Sequence, residues 1–158
     1  MSARRTGWIV AAISAATITA AAAQEAQQAN DKAEQILNAS CTTCHDLRPI
    51  ETSALDKEGW RKDVDAMIEK GADVKPDDRP LLIDYLVKNH GPLPEGPGKT
   101  VVLNVCTMCH DLSRVRRPGA TPEEWQEILL AMLNEGAPLT EQDFPVVLGY
   151  LARNFKPQ

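Results

Sequence analysis

The chain has 158 residues, a formal net charge of −5 and only seven aromatic residues. This length allows one domain or two very small ones, and so few large rings leave little apolar volume for a core. The acidic balance argues against nucleic-acid binding and favours a partner with a basic surface. A large single-core enzyme is therefore not expected, and two small halves would each need a staple, a metal or a cofactor.

The first 23 residues have the pattern of an export signal. Arg4 and Arg5 give a positively charged start, an uncharged stretch follows, and three alanines at residues 21–23 supply the small side chains that signal peptidase requires. The alternative is an uncleaved N-terminal anchor, but the segment is short and rich in alanine rather than leucine. The sequence therefore predicts a cleavable signal peptide over residues 1–23, export to the periplasm, and no stable membrane insertion after cleavage.

The rest of the chain repeats itself. Residues 41–90 align with residues 106–155 without a gap, with 17 identities in 50 positions. Only two copies exist, which indicates a tandem pair rather than a solenoid. The segment between them is dense in proline and glycine. The sequence thus predicts a first domain over residues 24–90, a semi-rigid linker over residues 91–97 and a second domain over residues 98–158.

The periodicity within each copy is helical. Trp60, Val64 and Met67 recur at helical spacing with charged residues between them, and Gly71 stands where that helix would end. In the second copy, Thr121 is followed by a proline and two glutamates, which is typical of a helix start. Further helices are predicted over residues 26–40, 81–89 and 146–154. No segment has the pattern of a strand, so the predicted fold class is all-α.

Two Cys-x-x-Cys-His motifs lie at equivalent positions in the two copies. Their cysteines and histidines are Cys41, Cys44, His45, Cys106, Cys109 and His110. This spacing is the attachment signature of c-type haem. Two thiols one helical turn apart can bond the two vinyl groups of one porphyrin, and the histidine that follows can reach the iron. Two such motifs in an exported chain predict two covalently bound haem c groups.

Other uses of these cysteines stay open. The two pairs could share a zinc ion, although the stretch of chain between them is far longer than the usual spacing of zinc ligands. In an oxidising compartment, each pair could instead form a disulfide or act as a redox dithiol. None of these alternatives explains why a histidine directly follows both pairs.

The repeat also predicts a second axial ligand for each iron. Met67 and Met132 follow the histidine of their motif at the same distance along the chain, and a thioether is a good ligand for haem iron. The alternative is that both are core residues, because methionine commonly fills buried helix faces. His90 is a weaker candidate, since the repeat aligns it with Phe155. The predicted iron ligands are His45, Met67, His110 and Met132.

The chain resembles a tandem dihaem cytochrome c, with each half similar to a small class I cytochrome c. The resemblance rests on the two attachment motifs and on a looser pattern: Cys-x-x-Cys-His-Asp-Leu, then Trp, Met, Gly-Ala and a final Tyr-Leu helix. Similar domains accompany periplasmic dehydrogenases, such as the cytochrome subunits of sulfite dehydrogenases. The resemblance implies that helices wrap round each haem. One departure is that Met67 and Met132 precede the Gly-Ala turn, whereas many class I cytochromes carry this ligand in a later loop.

These features predict a periplasmic carrier of single electrons. No substrate domain, flavin or pterin site, or nucleophile with a base is recognisable, so the chain is not expected to be an enzyme. The expected partners are redox proteins, namely a dehydrogenase or other donor and a downstream acceptor. The alternative is a haem enzyme or small-ligand sensor with one five-coordinate haem. Acidic residues number 15 in residues 24–97 and 7 in residues 98–158, which suggests different partners for the two halves.

Overall fold

The computed structural model describes residues 9–116 and 119–157, with side chains from residue 21 onwards. Over these residues the chain is helical and forms no strand, which confirms the all-α prediction. The helices are α1 (Ile9–Cys41), α2 (Arg48–Glu51), α3 (Lys57–Glu69), α4 (Arg79–His90), α5 (Lys99–Val105), α6 (Ser113–Arg116), α7 (Pro122–Asn134) and α8 (Asp143–Asn154). A 3₁₀ turn over Cys106–Met108 follows α5.

Helix α1 begins within the predicted export signal and continues without a break to Cys41. Its C-terminal part packs against α4, where Leu37 joins a buried cluster. Arg4 and Arg5 of the predicted signal lie outside the described residues. In the described part of the chain, no helix combines the length and the apolar character that a membrane span needs.

The helices repeat with the sequence. Helices α3 and α7 begin and end at equivalent positions of the repeat, and so do α2 and α6. The buried tryptophans make the same hydrogen bond: Trp60 Nε1 donates to the carbonyl of His90 at 3.1 Å, and Trp125 Nε1 donates to the carbonyl of Phe155 at 2.9 Å. The duplication is therefore present in the three-dimensional structure as well as in the sequence.

The central helix of each half has defined ends. The Asp56 carboxylate caps α3 by accepting from the backbone N–H of Gly59 at 2.7 Å. Helix α7 starts with a capping box between Thr121 and Glu124, at the start that the sequence predicts. Each helix is followed by a glycine with positive φ, 105° at Gly71 and 94° at Gly136, a conformation that a side chain disfavours. The matched ends give the methionines of α3 and α7 the same register.

Two hydrophobic clusters form the core, one in each half. Trp60 lies in the first cluster with no exposed surface, and Trp125 and Tyr150 lie in the second. Leu93, which belongs to the predicted linker, is buried in the second cluster, and the Tyr150 hydroxyl donates to the carbonyl of Pro94 at 2.7 Å. The linker therefore packs against the second half.

Direct contacts also join the two halves. The backbone N–H of Leu112 donates to the carbonyl of Glu51 at 3.3 Å. The first residue of the predicted linker is also attached to the second half, because the guanidinium of Arg116 donates to the carbonyl of Gly91 at 2.7 Å. Ala54 of the first half packs against the second cluster. The relative placement of the halves is therefore set by these contacts and not by the linker alone.

Candidate functional site

A cavity in the first half brings the predicted site residues together. It is lined by Cys41, Cys44 and His45 of the first motif and by Met67 of α3. Its volume is about 230 Å³. Two segments of the chain supply these four side chains. The first motif begins at the last residue of α1, and Met67 lies on α3.

The walls of this cavity are mostly apolar. Ile50 comes from α2, Val64 from α3, and Leu82 and Leu86 from α4; all four are buried. These residues face the cavity because α4 packs against both α3 and α1. A concave apolar space with a few convergent polar groups is typical of a cofactor site.

The two motif histidines make the same hydrogen bond. Nδ1 of His45 lies 2.6 Å from the carbonyl oxygen of Asp46, and Nδ1 of His110 lies 2.9 Å from that of Asp111. A carbonyl oxygen can only accept, so Nδ1 carries a proton, and the lone pair of the neutral ring lies on Nε2. This is the tautomer that binds a metal through Nε2, with the backbone fixing the orientation of the ring.

The four motif cysteines are not paired in disulfides. Cys41 and Cys106 are half-buried, whereas Cys44 and Cys109 are exposed. Within residues 9–116 and 119–157, no group of three or more His, Cys, Asp or Glu side chains is placed to hold a metal ion. Burial raises the pKa of the Cys41 and Cys106 thiols, and the Asp63 carboxylate adds to the effect at Cys41. Both half-buried thiols therefore keep their protons at neutral pH.

The second half places the same residue types at the same positions. Met132 is half-buried on α7, as Met67 is on α3. The residues that correspond to the cavity walls are also buried; they are Val115, Leu129, Val147 and Leu151. His110 is half-buried beside Asp111. The predicted residues of the second site thus occupy positions that correspond to those of the first.

The rim of the site differs between the halves. In the first half, Thr43 and Asp63 line the cavity. The repeat places Met108 and Ile128 at these two positions, and their exposed fractions are 58% and 39%. The first rim is therefore polar, and the corresponding surface of the second half is apolar.

His90, the weaker candidate for an iron ligand, lies elsewhere. It sits between the halves, where its ring makes an edge contact with Trp60 at 6.3 Å between centroids. It borders a cleft that Asp111 and Arg116 also line, and it is not among the residues that line the first cavity. His90 therefore does not join the predicted iron ligands of the first half.

Sequence reasoning missed a cleft between the two attachment motifs, which we call the central cleft. Its lining includes His45, Asp46, Arg48, Glu51, His110, Asp111 and Arg114. The guanidinium of Arg48 donates from Nη2 to the carbonyl of Met108 at 2.7 Å and to that of Thr107 at 3.3 Å. No local signal predicts these bonds, because the partners lie 59 and 60 positions apart and the repeat counterpart of Arg48 is Ser113.

Known proteins add nothing to this description. Comparison with protein-family models, curated proteins and solved structures finds no match to this chain. The function is therefore inferred from the residues, hydrogen bonds and cavities of the chain itself.

Proposed function

We propose that this protein is a tandem dihaem cytochrome c, a periplasmic carrier of single electrons with two covalently attached haem c groups. Each half is a cytochrome c-like helical domain, and one cleavable export signal over residues 1–23 precedes the two domains. The observation that carries the proposal is the first-half cavity, in which both motif cysteines, His45 and Met67 line one apolar space. When bound, haem supplies an iron that alternates between the ferric and ferrous states.

The residues of the first cavity fit such a group. Cys41 and Cys44 would hold the haem through their two thiols, as thioethers. His45 would offer Nε2, since Nδ1 is committed to the carbonyl of Asp46. Met67 would offer a thioether sulfur as the second protein ligand of the iron, and this ligand type gives a higher reduction potential than a second histidine. The apolar walls, among them Val64, suit a large apolar ring.

The second site is proposed from the repeat. Cys106, Cys109, His110 and Met132 have the roles of their counterparts in the first half. The hydrogen bond from His110 to the carbonyl of Asp111 supports this assignment, because it selects the same tautomer as in the first half. The central cleft supports a two-site protein, since both motif histidines line it.

The proposed partners are redox proteins, and no catalytic activity is proposed for the chain itself. A periplasmic dehydrogenase or another donor passes electrons in, and a downstream acceptor receives them. The first half has 15 acidic and 9 basic residues over residues 24–97, which favours a partner with a basic surface. The apolar positions of Met108 and Ile128 favour a different partner surface for the second half.

The first test is the optical spectrum of the purified exported protein, oxidised and reduced, with the ratio of haem to protein. We expect two haems per chain and the weak red absorption band of methionine-ligated ferric iron. A high-spin component in place of part of that band would favour the alternative, a haem enzyme or ligand sensor with one five-coordinate site. A protein without haem would refute the proposal.

Methionine variants test the axial ligands. We expect Met67→Ala and Met132→Ala each to remove about half of the red band and to produce a high-spin signal, because each iron loses one strong ligand. Met108→Ala is the matched control, since Met108 is exposed and lies inside the second attachment motif. If either ligand variant kept the full band, that methionine would be a core residue only.

A further inference from the structure

The central cleft is lined by charged side chains whose role is not explained by the proposed electron-carrier function alone. His45 and His110, the two histidines among the proposed iron ligands, line the same cleft. Asp46 and Asp111 follow them at equivalent positions of the repeat and line it as well. Each aspartate stands beside its own histidine, so the pair affects both sites alike. The cleft therefore joins the two sites on the histidine side.

Arg48 breaks this equivalence. It belongs to α2 of the first half, yet its guanidinium donates to the carbonyls of Thr107 and Met108, which lie between the two cysteines of the second motif. The repeat counterpart of Arg48 is Ser113, which has no charge. The second attachment motif thus has a cation bound to its backbone, supplied by the other half, and the serine at position 113 cannot supply a cation in the reverse direction.

The position of this cation has an electrostatic consequence. An arginine stays protonated at every physiological pH, so the charge is permanent. A positive charge close to an iron site disfavours the more positive, ferric state and raises the reduction potential, and hydrogen bonds around the ligands tune it further. Glu51 and Arg114 also line the cleft, but Arg48 is the cation that donates hydrogen bonds to the backbone of the second motif.

The placement of Arg48 is supported by neighbouring contacts. Glu51, one turn further along α2, accepts a hydrogen bond from the backbone of Leu112 at 3.3 Å. Leu112 is almost fully buried in the second cluster, and Ala54 of the first half packs against the same cluster. The segment that carries Arg48 is therefore attached to the second half on both sides of the motif histidine.

We propose that Arg48 is a positioning residue that holds the second attachment motif against the first half and raises the reduction potential of the second site, so that a shared electron is biased toward that site. This inference rests on the proposed function. The exchange moves one electron from the first site to the second; one iron is oxidised and the other is reduced, and no bond or proton is needed.

The test is an optical redox titration of the full holoprotein and three variants. Arg48→Gln removes the charge and keeps a hydrogen-bond donor. Arg48→Lys keeps the charge and loses the planar fork that serves two carbonyls. Arg61→Gln is the control, because Arg61 pairs with Glu58 and Asp65 on α3. Adding Met132→His to each protein identifies the second site, since a second histidine lowers the potential of that site.

We expect Arg48→Gln to lower the potential of the wave that Met132→His identifies by more than that of the other wave, because Arg48 bonds the second motif and lines the same cleft as both histidines. Arg48→Lys should retain most of the potential, and Arg61→Gln should move neither wave. Two haems with both waves unmoved in Arg48→Gln, or an equal fall in the Gln and Lys variants, would overturn the inference while leaving the proposed function intact. Absence of haem from the unmodified protein would instead refute the proposed function and the inference with it.

Discussion

The two halves keep the same interior and present different surfaces. The tryptophan hydrogen bonds and the histidine Nδ1 contacts recur at equivalent positions of the repeat. On α3, however, Arg61 bonds Glu58 at 2.6 Å and Asp65 at 3.2 Å, whereas α7 exposes Ile128 and Leu130. The repeat is therefore kept in the buried contacts, and the chemistry of the two outer helix faces differs.

The charged face of α3 adds little to the stability of the first half. A hydrogen bond from Arg61 lowers the pKa of the Glu58 carboxyl to about 2. The pair lies in water, however, where ion pairs are screened and lose side-chain entropy. The difference between the outer faces of α3 and α7 therefore concerns what each half can contact more than how firmly it folds.

The strongest way to test the shared interior is to remove the tryptophans. We expect Trp60→Ala and Trp125→Ala each to lower the free energy of unfolding by roughly 3–5 kcal/mol, because a large buried ring is replaced by a cavity. The two rings are 0% and 2% exposed, and each also loses its hydrogen bond. Denaturant unfolding of the purified protein, followed by circular dichroism, measures both values.

A surface variant is the control for the two tryptophan variants. Ile128→Ala, at a position 39% exposed on the outer face of α7, should change the free energy of unfolding by about 0.5 kcal/mol or less. If one tryptophan variant were far more damaging than the other, the two interiors would not be energetically equivalent despite their matched hydrogen bonds.

Tyrosine variants sharpen the comparison at the linker. We expect Tyr150→Phe to lower the free energy of unfolding by about 1 kcal/mol, because the buried Tyr150 side chain loses its hydrogen bond to the carbonyl of Pro94. Tyr85→Phe is the matched variant in the first half, where the side chain is only half-buried, and it should cost less. Equal losses would contradict our conclusion that the linker packs selectively against the second half.

His90 gives the smallest expected effect. Burial lowers the pKa of His90, the Arg116 guanidinium lowers it further, and the Asp111 carboxylate partly opposes the change. The clefts that border His90 also contain Glu34, Glu51, Tyr85 and Lys88. As pH falls, His90 takes up its proton in the unfolded chain before it does so in the folded chain. Its contribution to the free energy of unfolding should therefore be complete above the ordinary histidine pKa of about 6.5 and be lost as pH drops below that value.

The measurement is denaturant unfolding at several pH values between neutral and mildly acid conditions. His90→Gln should flatten the decline in that window, since the group that titrates is gone. The second half has Phe155 at this position, which makes His90→Phe a further control. If the decline were as steep in His90→Gln as in the unmodified protein, the other charged groups would be responsible and the assignment to His90 would be wrong.

Much of the fold could be predicted from the sequence, because its signals are local. The apolar spacing of Trp60 and Val64 predicted α3, and the glycine at position 71 marks its end. The start of α7 was readable from four consecutive residues, Thr121 to Glu124. The short helices α2, α5 and α6 were not predicted, since one or two turns of helix show too little periodicity to detect.

The candidate site divides in the same way. The attachment motifs are contiguous, so the thiols and histidines could be named directly from the sequence. The haem, its axial methionines and the electron-transfer function stay predictions, and the spectra and titrations above test them. The role of Arg48 had no signal in the sequence, because it depends on contacts with residues far away along the chain.

The sequence by itself determined the duplication, the helical periods and the two attachment motifs, since each is a matter of residue spacing along the chain. Only the tertiary structure decided that Met67 lines the same cavity as His45, and that Leu93 joins the second cluster. The hydrogen bond from Arg48 to the backbone of the second motif was likewise decided there. These placements depend on how helices pack against one another. Packing joins residues that are distant in the chain, and such contacts leave no pattern in any local stretch of sequence.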